Sequence, residues 1–147
     1  MKKATSILTI LFLINVFSSA QDLDFFERYF NDQTMRVDYY HIGDAKEEYI
    51  TLDQVYKYGI WAGSRVHLID KMDLGRYAVK IYDAESNLLI YSKGFDSYFG
   101  EYKTSDKGLD GIQRTFHETA LIPYPKNKFI FSFEKRDNLQ ELRRRAG

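Results

Sequence analysis

The sequence predicts a mostly β fold, an antiparallel β-sandwich carrying one or two short helices. Three observations point there. Aromatic residues make up 16% of the chain, with 12 Tyr and 11 Phe, and such side chains favour the half-buried surface of a strand. Several short segments alternate apolar and polar residues, the period-2 mark of a strand with one buried face. Clusters of Gly, Asp, Asn and Ser separate these segments at short intervals, as in a sandwich built of hairpins. The 147 residues allow one domain. The 44% hydrophobic and 29% charged content is a globular balance, which argues against a disordered chain.

The first twenty residues read as an address rather than as structure. Met1-Lys2-Lys3 is a positive start, Ile7 to Ile14 is an apolar run, and Ser18-Ser19-Ala20 supplies small residues at its exit. That order describes a secretory signal peptide over residues 1–20. The run is too short for a transmembrane helix, so no stable membrane anchor is expected after cleavage. The expected location is periplasmic or extracellular.

The domain itself is expected over residues 22–137. Leu23, Phe26, Tyr29 and Phe30 recur at helical spacing, but Phe25 breaks the pattern, so a short helix and an extended segment both fit. Met35, Val37 and Tyr39 alternate with Arg36, Asp38 and Tyr40, which predicts a strand ending at Gly43-Asp44. Thr51 to Tyr56 reads as a single helical turn with Thr51 as its cap. Trp61 to Ser64 reads as a turn. Tyr77 to Tyr82, the turn Asp83 to Asn87 and the returning Leu88 to Ser92 form the clearest hairpin. Ser105 to Gly108, with Asp110-Gly111, reads as an exposed loop. Thr115 to Ile122 alternates as a strand stopped by Pro123 and Pro125, and Phe129, Phe131 and Phe133 form one face of a last strand. Residues 138–147 form a polar basic tail ending in Arg143-Arg144-Arg145.

Composition excludes several chemistries. There is no cysteine, hence no disulfide, thiol nucleophile, Cys-based zinc site or lipid-anchored cysteine. Net charge is +0, which gives no basic surplus to hold nucleic acid. Loss of Lys2 and Lys3 takes 21 basic residues to 19 against 21 acidic ones, so the exported domain is slightly acidic.

His117-Glu118-Thr119-Ala120-Leu121 begins like the HExxH helix of a zinc peptidase, in which two His one turn apart face the same metal. The fifth position is Leu121, and on a strand His117 and Glu118 point to opposite faces. Ordinary exposed strand residues are the expectation. His41 and His67 have no partner at metal-ligand spacing. Asp70 and Asp73 suit a surface turn better than calcium, since no DxDxDG loop is present. No Ser sits in GxSxG. Gly59 and Gly63 bracket Trp61 as turn residues rather than as a phosphate loop. Trp61, with Tyr56 and Tyr58 nearby, suits sugar stacking or, more simply, the edge of a core. No catalytic residue, metal ligand or cofactor is assigned, and binding residues cannot be named.

An ordered set of segments carries a family likeness. It runs Met35 to Gly43, Trp61 to Arg65, Leu74 to Tyr77, Ile90 to Phe95, Phe99 to Tyr102, Phe116 to Glu118 and Pro123 to Lys126. In this order and spacing the chain resembles the N-terminal domain of the M64 (IgA peptidase) family of bacterial metallopeptidases, in its Bacteroides-type version. The resemblance implies a β-sandwich accessory module whose partner is a catalytic domain bearing the zinc-binding HExxH. It carries over no catalytic residue to this chain. It holds through Arg136-Asp137-Asn138 and gives out from Leu139. A frameshift, a premature stop or a genuine standalone module would each leave such a sequence. The expected function is a non-catalytic accessory domain of a secreted zinc metallopeptidase. The alternative is an independent secreted module that binds a glycan or host protein, and an enzyme in its own right ranks third.

Overall fold

The computed structural model describes residues 24–136. The signal peptide and the basic tail of the sequence reading, Arg143-Arg144-Arg145 included, lie outside the described residues.

A helical turn over residues 24–29 (α1) settles the opening segment as helix. It leads into β1 (Phe30–Gly43), β2 (Glu48–Tyr58), β3 (Tyr77–Asp83), β4 (Leu89–Phe95), α2 (Tyr98–Tyr102), α3 (Asp106–Leu109), β5 (Arg114–Pro125) and β6 (Phe129–Lys135). The strands form two antiparallel three-stranded sheets, ordered β2-β1-β5 and β4-β3-β6. Their inner faces meet as a sandwich, the predicted fold class.

The alternation along β1 places Met35, Val37 and Tyr39 inward, against Val79 and Ile81 of β3, Ile90 of β4 and Ile122 of β5. The predicted hairpin is β3–β4. Asp83 closes its turn by accepting from the Ser86 N–H at 2.9 Å and the Ser86 hydroxyl at 2.6 Å. Asn87 sits there at φ 56°, a left-handed conformation that Asn tolerates.

Three expectations need correction. Thr51 to Tyr56 is not a helical turn but the middle of β2, paired with β1 along its length. Its Tyr, Ile, Val and Thr content suits a strand, and that pairing outweighs one capping residue. Ser105 to Gly108 is not a loop. Ser105 caps α3, with the Gly108 N–H donating to its hydroxyl. The strand predicted to stop at Ile122 continues through Pro123 and Pro125. β5 is an edge strand, where a missing N–H is tolerated, and the β1 ladder is irregular opposite those prolines, between Asn31 and Thr34.

The β1–β2 turn is built around Gly43 at φ 138°, where an added Cβ would meet the Glu47 carbonyl oxygen at 2.0 Å. Asp44 completes it by accepting from the backbone N–H of Lys46 (2.7 Å) and Glu47 (3.0 Å). This turn starts β2 at Glu48, the residue on which the site below depends.

Candidate functional site

His41 continues the inward face of β1 one step past Tyr39, and no part of its side chain reaches solvent. A buried imidazole needs partners for both nitrogens. β2 and β5 supply one carboxylate each. Nε2 donates to Glu48 Oε1 at 2.9 Å and Nδ1 donates to Glu118 Oε2 at 3.2 Å. Phe99 of α2 stacks on the ring at 4.0 Å between centroids, while Tyr77 and Phe133 present their edges.

The carboxylates have further partners. Glu48 Oε2 receives Lys103 Nζ at 2.7 Å and Lys135 Nζ at 2.8 Å. Glu118 Oε1 accepts the Phe99 N–H at 3.2 Å, and burial together with the nearby Glu118 charge raises the pKa of the Tyr39 hydroxyl. Burial alone would lower the pKa of His41, but the two carboxylates outweigh it and hold the ring's pKa above its ordinary value. Burial likewise opposes ionisation of Glu48 and Glu118. His41 leads the groups that nevertheless hold both pKa values below the carboxylate range. The Tyr77 hydroxyl is buried facing Glu48 without a hydrogen bond of good geometry. Its pKa is raised by burial and by the Glu48 charge.

This arrangement pins an imidazolium rather than poising one. Both N–H groups are committed to carboxylates, so the ring has no free lone pair for a proton or a metal. The carboxylates sit on opposite edges of the ring and do not converge on a point. Among the described residues no group of three or more His, Cys, Asp or Glu is placed to hold a metal ion. The cluster therefore ties β1, β2, β5, β6 and α2 together at one end of the sandwich.

The other candidates are scattered. His117 and Glu118 do point to opposite faces, but Glu118 is buried rather than an ordinary exposed residue, because the acid that His41 requires must come from the inner face. His117 lies outside, stacked on Tyr40 (4.8 Å) and bonded to Asp53 at 3.1 Å. His67 is exposed in the 59–76 segment. Asp70 makes turn contacts, accepting from the N–H of Met72 (3.0 Å), Asp73 (3.1 Å) and Gly94 (2.9 Å). Trp61 packs edge-on against Tyr91 at 6.1 Å, at the core edge, and its Nε1 donates to the Ser64 carbonyl. Beside it runs an open groove of about 940 Å³, lined in part by Phe25, Trp61, His67 and Tyr91.

The outward face of the β2-β1-β5 sheet was not singled out from sequence. Register sets Tyr49 beside Ile42, Tyr56 beside Arg36 and Tyr58 beside Thr34. With Tyr40 and Leu121 they leave a broad aromatic surface open to solvent. In its middle Asp38 is buried between the Arg36 guanidinium (2.8 Å) and the Thr119 hydroxyl (2.6 Å).

The sequence matches the family described as Peptidase M64 N-terminus over residues 25–146. The chain belongs to that family. No curated protein matches it significantly. The match agrees with the likeness drawn from Met35 to Lys126 and reaches further, through Leu139 to Ala146, where that likeness had given out. An M64 N-terminal domain is the front part of an M64 peptidase.

Proposed function

We propose that this M64 N-terminal domain is a non-catalytic accessory module of an exported zinc metallopeptidase, which packs on a peptidase domain or positions substrate for it. The observation that carries the reading is the family match over residues 25–146. Two features support it. The buried constellation of acid and base at His41 has its ring nitrogens committed to carboxylates and is closed to solvent. The outward tyrosine face offers amphipathic side chains of the kind enriched where proteins dock. The signal-like sequence of residues 1–20 supports a location outside the cytoplasm.

The test is to add the chain in trans to an M64 catalytic domain and follow cleavage of a protein substrate. The chain alone, with zinc, is expected to leave the substrate intact, and in trans it lowers KM. Turnover by the chain alone would overturn the non-catalytic reading.

The groove beside Trp61 favours a second reading, a binding module for a glycan. A sugar that quenches Trp61 fluorescence saturably, with no effect of the chain on an M64 catalytic domain, would select it.

A further inference from the structure

β2 is a sheet edge with large side chains on both faces. Among the described residues it pairs with β1 alone, and every residue from Tyr49 to Tyr58 is exposed. It carries no proline, whereas β5, the other edge of that sheet, has Pro123 and Pro125. A long edge of unpaired backbone groups with apolar side chains is a template for another strand.

A bulge decides which strand fits it. Asp38 pairs with Gln54 and Tyr39 with Leu52, so Asp53 is an extra residue in β2. An extra residue inverts the side-chain alternation beyond it. Residues opposite the inward side of β1 are therefore Ile50 and Leu52 before the bulge, and Val55 and Lys57 after it. Tyr49, Thr51, Gln54, Tyr56 and Tyr58 face outward, and Asp53 joins them through its bond to the outward His117. The order of faces thus reads the same in both directions about the point between Asp53 and Gln54.

We propose that this edge pairs with β2 of a second copy of the chain, antiparallel, about a two-fold axis between Asp53 and Gln54. Opposite residues across an antiparallel ladder share a face, and here every pair does. On the inward side Leu52 meets Val55 and Ile50 meets Lys57. On the outward side Thr51 meets Tyr56, Tyr49 meets Tyr58, and Asp53 meets Gln54 beside the axis. Charges agree too: no like charges stand opposite, and Lys57 lies diagonal to the second copy's Glu48. Sliding the strands by one residue opposes inward to outward residues at every pair off the axis, and in one direction it sets Asp53 against Asp53. Sliding by two sets Leu52 against Asp53, or Gln54 against Val55. A foreign strand of unbroken alternation would match one half of β2 and mismatch the other. A second copy carries the same break at the same place, and the contact closes as an isologous dimer.

Sedimentation equilibrium and cross-linking of residues 21–147 test this. Neither uses a catalytic domain, so the result is independent of the accessory reading. The parent chain is expected to reach dimer mass as its concentration rises. Leu52→Glu/Val55→Glu sets like charges opposite each other and should weaken the dimer about tenfold or more, while Leu52→Glu/Val55→Lys sets unlike ones there and should recover most of that loss. Both side chains are exposed in the single chain, at 64% and 50%, so the fold tolerates the changes. The chain has no native cysteine. Leu52→Cys and Val55→Cys proteins, mixed under mild oxidation, are expected to form a covalent dimer that neither forms alone, because identical positions stand too far apart across the axis. A parent chain that stays monomeric at millimolar concentration overturns the proposal. So do charge variants that associate alike, or cross-links no more frequent in the mixture than in either protein alone.

Discussion

The Nδ1 of His41 and the Oε2 of Glu118 meet at 3.2 Å across the β1–β5 ladder, both shut away from solvent. They are diagonal neighbours: Glu118 stands opposite Tyr39, two residues before His41. That diagonal converts a polar residue on an apolar face into a charged brace.

Glu118→Gln keeps the shape and removes the charge. His41 is left with one carboxylate, and breaking a buried pair from one side costs about 3–5 kcal/mol. Urea unfolding should show a loss near the lower figure, since Glu48 still compensates the ring. A loss within experimental error would mean that Glu118 contributes no charge to the brace.

The pH dependence has a definite sign. The His41 pKa is raised on folding, so its contribution is complete below its ordinary value of 6.5 and is lost as pH rises through the folded value. The pKa values of Glu48 and Glu118 are lowered, so theirs is complete above 4.5 and is lost as pH falls through their folded values. Stability should therefore peak between these limits, and His41→Gln should flatten the alkaline limb. Denaturant titrations across pH 3 to 10, scaled to the reference carboxylate and imidazole values, check both limbs. Stability that climbs from pH 6 to 9 would contradict the assignment.

The two lysines on Glu48 should differ. The Lys103 side chain is 18% exposed and that of Lys135 52%. Lys103→Met is expected to cost about 1–2 kcal/mol, as a charge-assisted bond does, and Lys135→Met at most about 1 kcal/mol, as at a surface pair. Thermal melts of the two variants compare them directly, and the reverse order would show that Lys135 carries the pair.

Gly43→Ala places a methyl on the Glu47 carbonyl at a φ of 138°. It should destabilise by about 1–3 kcal/mol and loosen β2, seen as faster amide exchange in Glu48 to Tyr58. An unchanged melting temperature would show that the turn relaxes freely.

Local pattern made β1, β3, β4, β5 and β6 legible, since period-2 alternation and the Asp83 to Asn87 turn are local signals. β2 was misread because it is exposed on both faces, so no burial contrast shaped its sequence. The brace was half legible. His41 falls in step with Met35, Val37 and Tyr39, and an inward His calls for acids, but Glu48 and Glu118 come from two other strands. Pairing register alone joins them, and spacing along the chain does not carry it. The tyrosine face escaped notice for the same reason, since Tyr40, Tyr49, Tyr56 and Tyr58 converge only once β1 and β2 are in register.

The most direct test of the accessory role is calorimetric titration of residues 21–147 into an M64 catalytic domain, with Tyr49→Asp/Tyr56→Asp as comparison. The account predicts a saturable one-to-one complex that the double variant weakens about tenfold or more, as loss of buried tyrosine contacts does. The absence of binding by the parent chain, or equal binding by the two proteins, would contradict docking through that face.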